Sequence, residues 1–452
     1  SGVSYLSQML VVIFLMFTSA ATGFACFLAF ARGLAGRTKD MGNFYVDLVR
    51  VTTRVLLPFS IVVGLFLVSQ GVPQTLGANV TVHTIEGKLQ DIATGPIAAL
   101  ESIKHLGTNG GGFLGGNSAT PQENPNILTN MAEMLAMMLL PGSCVVAFGH
   151  MARRRRETEK GREKRAWLGS EAKPIFAVMF VLFFIGFAVC YAAEKAGNPE
   201  LAQAGLNQSM GNMEGKEVRF GIPQSALFTT VTTAFTTGSV NNMHDTLTPL
   251  GGMVPLIQMM LNFVFGGKGV GMMNMMLYVI FTVFVCGLMV GRTPEYLSKR
   301  IEGTEVKLTA LGIIVHPLLI LGFSALAVSV PAGLTGLSNP GYHGLTQVLY
   351  QYASSSANNG SGFEGLIDNT YFWNITAGIA MFFGRYLPIV IGLAIARSLM
   401  LKPSVNESLG TLKTDTRTFG VSLFMVCIII SALIFFPVLA LGPIAEHLVL
   451  WG

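Results

Sequence analysis

Apolar runs of about 20 residues recur along this 452-residue chain, each long enough for a helix to cross the hydrocarbon core of a bilayer. Eight crossings are predicted, near residues 5–31, 50–71, 127–150, 174–194, 252–290, 309–331, 370–396 and 417–441. The fifth is too long for one plain helix and is expected to break at Gly266-Gly267-Lys268-Gly269-Val270-Gly271. Charged residues make up 12% of the chain, about half the share usual in soluble domains, so the whole chain reads as a membrane domain. The first run opens at once and shows no signal-peptide layout. Cys26, Cys144, Cys190, Cys286 and Cys427 each fall in or at the end of an apolar run without CxxC or His spacing, which suits packing. The seven histidines are scattered and point to no metal site.

The net charge of +5 reads as topology, not nucleic-acid binding. Most of the 29 basic residues fall in the loops after the odd-numbered crossings: Arg32 to Arg54, Arg153 to Lys173, Arg292 to Lys307 and Arg397 to Arg417. The intervening loops carry only Lys88, Lys104, Lys195, Lys216 and Arg219. The basic-rich side is expected to be cytoplasmic, with both chain ends outside. Arg153–Arg165 reads as a solvated topology loop in preference to a lipid-binding polybasic patch.

Three long outer segments share one layout. Pro96–Leu106 leads into Gly107-Thr108-Asn109-Gly110-Gly111-Gly112, Pro223–Phe235 into Thr236-Thr237-Gly238-Ser239-Val240-Asn241-Asn242, and Leu345–Ser355 into Ser356-Ala357-Asn358-Asn359-Gly360-Ser361-Gly362. Gly110 and Gly238 are 128 residues apart, and Gly238 and Gly360 are 122 apart. A twelve-residue helix is about 18 Å long, roughly half a bilayer core, so each segment reads as a re-entrant half-crossing. Irregular backbone survives at that depth only inside protein or along a watery path. Its carbonyls need a partner, and a dehydrated cation is a suitable one. Glycine allows the positive φ that turns carbonyls inward, and each half-helix aims its negative C-terminal end at the ion. A pore is therefore preferred to three ordinary polar loops. The same period steps back from Gly110 to before Ser1, so the first crossing is expected to close a unit whose opening helix and loop are missing.

Gly107-Thr108-Asn109-Gly110-Gly111-Gly112-Phe113, followed by Asn117-Ser118-Ala119 and Glu123-Asn124-Pro125, resembles the second pore loop of the KdpA family. Gly238-Ser239-Val240-Asn241-Asn242-Met243-His244-Asp245 resembles the third, and Ser356-Ala357-Asn358-Asn359-Gly360-Ser361 the fourth. Gly291-Arg292-Thr293-Pro294-Glu295-Tyr296-Leu297 is similar to a family signature, and the resemblance runs the length of the chain. It implies an all-α polytopic membrane protein of pseudo-fourfold helix–pore-loop–helix repeats, similar in fold to a potassium channel, with the first repeat incomplete. The units expected are 1–36, 37–165, 166–300 and 301–405, with an extra helix in 406–452. The resemblance implies a potassium-binding and translocating subunit of an ATP-driven import complex in the bacterial inner membrane. ATP hydrolysis would lie in a KdpB-type partner, with KdpC-type and KdpF-type subunits and membrane lipids around it. K+ would be the transported ion, with no covalently bound cofactor. The filter is expected at Thr108, Asn109, Gly110 and Gly111, at Thr237, Gly238 and Ser239, and at Asn358, Asn359 and Gly360.

Lys268 and Arg385 fall inside apolar spans, where a lone cation costs about 2.5–3.5 kcal/mol and must face a cavity or partner. Lys268, among Gly266, Gly267 and Gly269, is read either as a gate below the filter or as a brace capping loose carbonyls. Arg385 is read as binding carbonyls at a half-helix end, in preference to repelling cations from one exit. His316-Pro317 suggests a kink with a hydrogen-bonded histidine, and the Met-rich stretch 272–276 adaptable packing or a lipid or subunit face. An autonomous potassium channel or cotransporter is the alternative function. A membrane enzyme is disfavoured, because the sequence suggests no paired intramembrane carboxylates and no Ser-Lys arrangement.

Overall fold

The computed structural model describes residues 3–36, 40–152, 167–405 and 411–452. Arg37, Lys39, the basic block Arg153–Arg165 and the unit boundaries at 36/37, 165/166 and 405/406 involve residues outside that description. Among the described residues, eight helices are long and apolar enough to cross a membrane. They are α1 Tyr5–Ala35, α2 Phe44–Ser69, α4 Ile127–Met151, α5 Ala172–Ala196, α8 Val270–Met289, α9 Gly303–Ser329, α11 Tyr371–Leu401 and α12 Arg417–Trp451. Between them lie the shorter helices α3 Ile97–Leu106, α6 Gly221–Ala234, α7 Pro249–Leu261 and α10 Tyr342–Ala357. The chain is an all-α, multi-pass membrane protein.

Helix starts follow the local chemistry. Asn126 caps α4 in a capping box with Thr129, Glu302 does the same for α9 with Glu305, and Thr370 caps α11 through Trp373 N–H. Pro141, Pro317 and Pro388 sit inside long helices without ending them. Small residues set the closest crossings: a methyl group on Gly33 would lie 2.9 Å from the Ala396 Cβ, and one on Gly149 2.7 Å from that of Ala172. A hairpin of β1 Val80–His83 and β2 Leu89–Ile92, paired antiparallel from Val80↔Ile92 to His83↔Leu89, decorates the first outer segment and was not anticipated.

The core centres on α8, the most enclosed crossing, with 67% of its apolar window buried. Met272, Met273, Met275 and Met276 pack with Phe27, Phe30 and Phe263, so the Met-rich stretch is interior packing and not a lipid or subunit face. The break before α8 is wider than the glycine run suggested. Asn262 adopts φ 45° and ends α7, and irregular backbone runs from there to Gly269. Asn262 is held by its neighbours: its carbonyl accepts from Asn274 Nδ2 at 3.0 Å, and its own Nδ2 lies 3.2 Å from His316 Nε2.

Candidate functional site: three converging loops

Each half-helix ends in the same way. In the first, Thr108 N–H donates to His105 O at 3.1 Å and Asn109 N–H to Lys104 O at 2.8 Å. In the second, Thr236 donates to Thr233 O at 3.3 Å and Thr237 to Thr232 O at 2.7 Å. In the third, Asn358 donates to Ser355 O at 3.1 Å and Asn359 to Ser354 O at 3.0 Å. This is the Schellman closure, which needs a left-handed residue just past the helix. Thr108 (φ 46°), Thr236 (φ 49°) and Asn358 (φ 55°) supply it, at a steric cost that glycine would avoid. Positive φ recurs at Gly238 (87°) and Gly360 (104°); in the first loop the left-handed glycine is Gly111 (91°) and not Gly110.

The three loops meet at one point. A methyl group on Gly110 would lie 3.1 Å from the carbonyl oxygens of both Thr237 and Asn359. One on Gly238 would overlap the Asn359 carbonyl oxygen, and one on Gly360 would lie 3.8 Å from the Gly110 Cα. Among the described residues neither the Thr237 nor the Asn359 carbonyl oxygen accepts a hydrogen bond. The Thr237 hydroxyl is buried and likewise has no partner among the described residues. Oxygens gathered this way repel one another unless a cation sits among them. The loops are anchored from behind: Gly238 N–H donates to Thr232 Oγ1 at 3.0 Å, Gly360 N–H to Ser354 Oγ at 3.1 Å, and Asn359 Nδ2 to Thr232 O at 3.0 Å.

Beneath the first loop, the Lys268 ammonium donates to Asn109 Oδ1 at 2.7 Å and to Thr108 O at 3.2 Å. Ser19 Oγ from α1 also donates to Asn109 Oδ1, at 2.8 Å. Gly266, Gly267 and Gly269 all take positive φ, and a methyl group on Gly267 would lie 3.6 Å from Thr108 Oγ1. The broken helix therefore touches the loop cluster directly. Arg385 is half-buried in α11, beside Gly384, where an added methyl would overlap the Ser356 backbone at the end of α10. Among the described residues its guanidinium makes no hydrogen bond, to a half-helix carbonyl or otherwise. It faces Lys268 and His316 electrostatically. His316 itself is hydrogen-bonded, with Nδ1 2.8 Å from Ser356 Oγ.

Two expectations need correcting. Intramembrane carboxylates do pair: Glu101, His105 and Glu133 bring one ligand atom each within 4.8 Å of one another. Lys104 and Ser118 also meet, at 2.7 Å. All five side chains are fully buried, so a substrate does not reach them. The metal-like spacing is compromised by the Lys104 ammonium, 2.5 Å from Glu101 Oε2. The sequence signal was three ionisable residues at i, i+3 and i+4 in an otherwise apolar half-helix.

A second ionic group braces the rim. His343 at the start of α10 bridges Asp245 at 3.1 Å and Glu446 at 2.8 Å. Burial alone would lower its pKa, but the hydrogen bonds and charges of these two carboxylates outweigh that and push it up to about 9. Burial works against Asp245 too, yet hydrogen bonds from His343 and Gln347 hold its carboxyl below the ordinary value.

Comparison with known proteins places the chain. Residues 1–448 match the family described as KdpA, potassium-transporting ATPase A subunit. A protein of Clostridium acetobutylicum named potassium-transporting ATPase potassium-binding subunit is 61% identical over 450 residues, covering 100% of this chain and 78% of the relative. Proteins of the same name from Geobacillus kaustophilus and Staphylococcus haemolyticus are 55% identical over 448 residues and 56% over 451, each covering 78% of the relative. The chain belongs to this family of potassium-transporting ATPase A subunits.

Proposed function

We propose that this member of the family binds K+ from outside through backbone carbonyls of its re-entrant loops and passes it to an ATP-hydrolysing partner. The observation that carries the reading is the meeting of Gly110, Gly238 and Gly360, with the unpartnered Thr237 and Asn359 carbonyl oxygens beside Gly110. Carbonyls replace the hydration shell of K+ at small cost, and the half-helix ends add negative potential. The chain itself is non-catalytic. Its partners are a KdpB-type ATPase subunit with KdpC-type and KdpF-type subunits, in the inner membrane of a bacterium.

Lys268 supplies the exit control in this reading. Its ammonium occupies the Thr108 carbonyl and the Asn109 amide oxygen, so a K+ ion leaving past the first loop must displace it or turn aside. Brace and gate are then one contact: the lysine caps the loop while K+ is held and gives way only when the break moves. Arg385, facing the same region, keeps cations from settling behind it.

The test is ATP hydrolysis by the purified complex containing this subunit, titrated with K+, Rb+ and Na+. Selective stimulation by K+ is expected. Potassium conduction by the purified chain in vesicles, with no ATPase co-purifying, would replace this reading with an autonomous channel.

A further inference from the structure

The buried group behind the loops has a role that carbonyl binding does not absorb. Glu101, Lys104 and His105 come from α3, Glu133 from α4, and Ser118 and Ser239 from the loops; all are buried. Lys104 pairs with Glu101 and donates to Ser118 Oγ, which in turn donates to Glu101 Oε2 at 2.8 Å. Glu123 also faces the group. Its carboxylate is satisfied by Leu114 N–H at 3.0 Å, Ser118 N–H at 3.3 Å and Thr120 Oγ1 at 2.8 Å. Arg219 faces it from before α6, with its guanidinium on the Ala119 and Asn124 carbonyls.

Glu133 is the exception. Among the described residues neither of its oxygens has a hydrogen-bond partner, and its Oε2 lies 3.5 Å from His105 Nε2. His105 Nδ1 lies 2.8 Å from the Glu101 carbonyl oxygen, which only accepts, so Nδ1 carries a hydrogen. A neutral His105 then turns a lone pair toward Glu133, and an ionised Glu133 would oppose it with another. Two acceptors cannot be stable there, so the pair holds one proton, and the neighbours place it on the ring. Ser239 Oγ and Ser118 Oγ, 2.9 and 3.2 Å from Nε2, spend their single hydrogens on Asn117 O and Glu101 Oε2, so Nε2 must donate to them opposite an ionised Glu133. That proton also leaves the pair without net charge.

The consequence runs to the cation site through Ser239, the residue after Gly238. His105 Nε2 lies 2.9 Å from Ser239 Oγ, which donates to Asn117 O at 2.7 Å and lies 3.0 Å from Ser118 Oγ. Val240 N–H joins the same Asn117 carbonyl at 2.9 Å. Ser239 is therefore where the second loop is tied to the first.

We propose that Glu133, in its proton-bearing pairing with His105, is a positioning residue for the cation site: it orients the imidazole that fixes Ser239 and so sets the Thr237 and Gly238 carbonyls against Gly110. The inference rests on the potassium-site reading above. Glutamine keeps the bulk of Glu133 but not its charge, so it cannot balance the second proton on the ring; alanine removes both.

The test measures K+ KM and maximal ATPase rate of the assembled complex carrying Glu133→Gln, Glu133→Ala or Ser239→Ala. Glu133→Gln, Glu133→Ala and Ser239→Ala should each raise KM about tenfold or more at nearly unchanged maximal rate. The double variant Glu133→Ala/Ser239→Ala should be no worse than either single one. The inference is overturned if Glu133→Gln or Ser239→Ala keeps the parent KM. The second outcome remains decisive should Glu133→Ala fail to assemble. A parent complex without K+-selective stimulation would instead sink the underlying site reading.

Discussion

Gly238→Ala is the sharpest perturbation of the loop cluster. Gly238 sits at φ 87°, where an L side chain is strained by about 1–2 kcal/mol. The added methyl would also overlap the Asn359 carbonyl oxygen, a neighbour fixed by the Asn359 bonds to Ser354 and Thr232 and not a flexible side-chain tip. The second and third loops must therefore separate, and the Asn359 carbonyl leaves its place beside Gly110. The backbone strain acts with or without the ion, so it lowers stability; the displaced carbonyl acts on binding. If a carbonyl ligand to a cation is worth as much as a hydrogen bond to a charged group, about 1.5–3 kcal/mol, K+ affinity falls roughly 10–150-fold. The assay is K+, Rb+ and Na+ stimulation of ATP hydrolysis by the complex, with Gly322→Ala as control. Gly322 lies within α9 with nothing inside 4 Å of a new methyl, so its substitution should leave KM unchanged. A Gly238→Ala complex with parent affinity and parent discrimination would refute the convergence argument.

Lys268→Met removes the ammonium from Thr108 O and Asn109 Oδ1 and should raise passive K+ leak through the complex in vesicles; unchanged leak with intact assembly would leave the lysine a brace only. The rim histidine makes a pH prediction: the folded pKa of about 9 exceeds the ordinary value near 6.5. Its stabilisation is thus complete below about pH 6.5 and is lost as pH rises through about 9, and His343→Gln should flatten that part of a thermal-stability profile. Lys216→Met strands Glu194, its fully buried partner at 2.6 Å, and should cost about 3–5 kcal/mol of stability. Adding Glu194→Gln should restore much of it, and a measured loss below about 1 kcal/mol for Lys216→Met would show that the pair is not buried as described.

The elements were legible where the signal is local. Apolar length gave the crossings, and the repeat of half-helix and polar burst gave α3, α6 and α10 to within a few residues. Contacts made by tertiary packing were not legible. Glu133 meets His105 across 28 residues and Ser239 meets His105 across 134, and neither spacing carries a periodic signature. The break begins before the glycine run that marks it in the sequence, because the helix ends at Asn262, a residue that also tolerates φ above zero. The hairpin of Val80–His83 and Leu89–Ile92 has the alternation and the turn glycine, Gly87, that mark a strand pair, a short-range signal weaker than the helical pattern around it.

The central claim is that one cation site lies where the loops around Gly110, Gly238 and Gly360 converge. An experimental structure of the complex in Rb+ or Tl+, at a wavelength where that ion scatters anomalously, tests it directly. The account predicts an anomalous peak about 3 Å from the Thr237 and Asn359 carbonyl oxygens. Strong peaks elsewhere in the chain, with none between these loops, would contradict it.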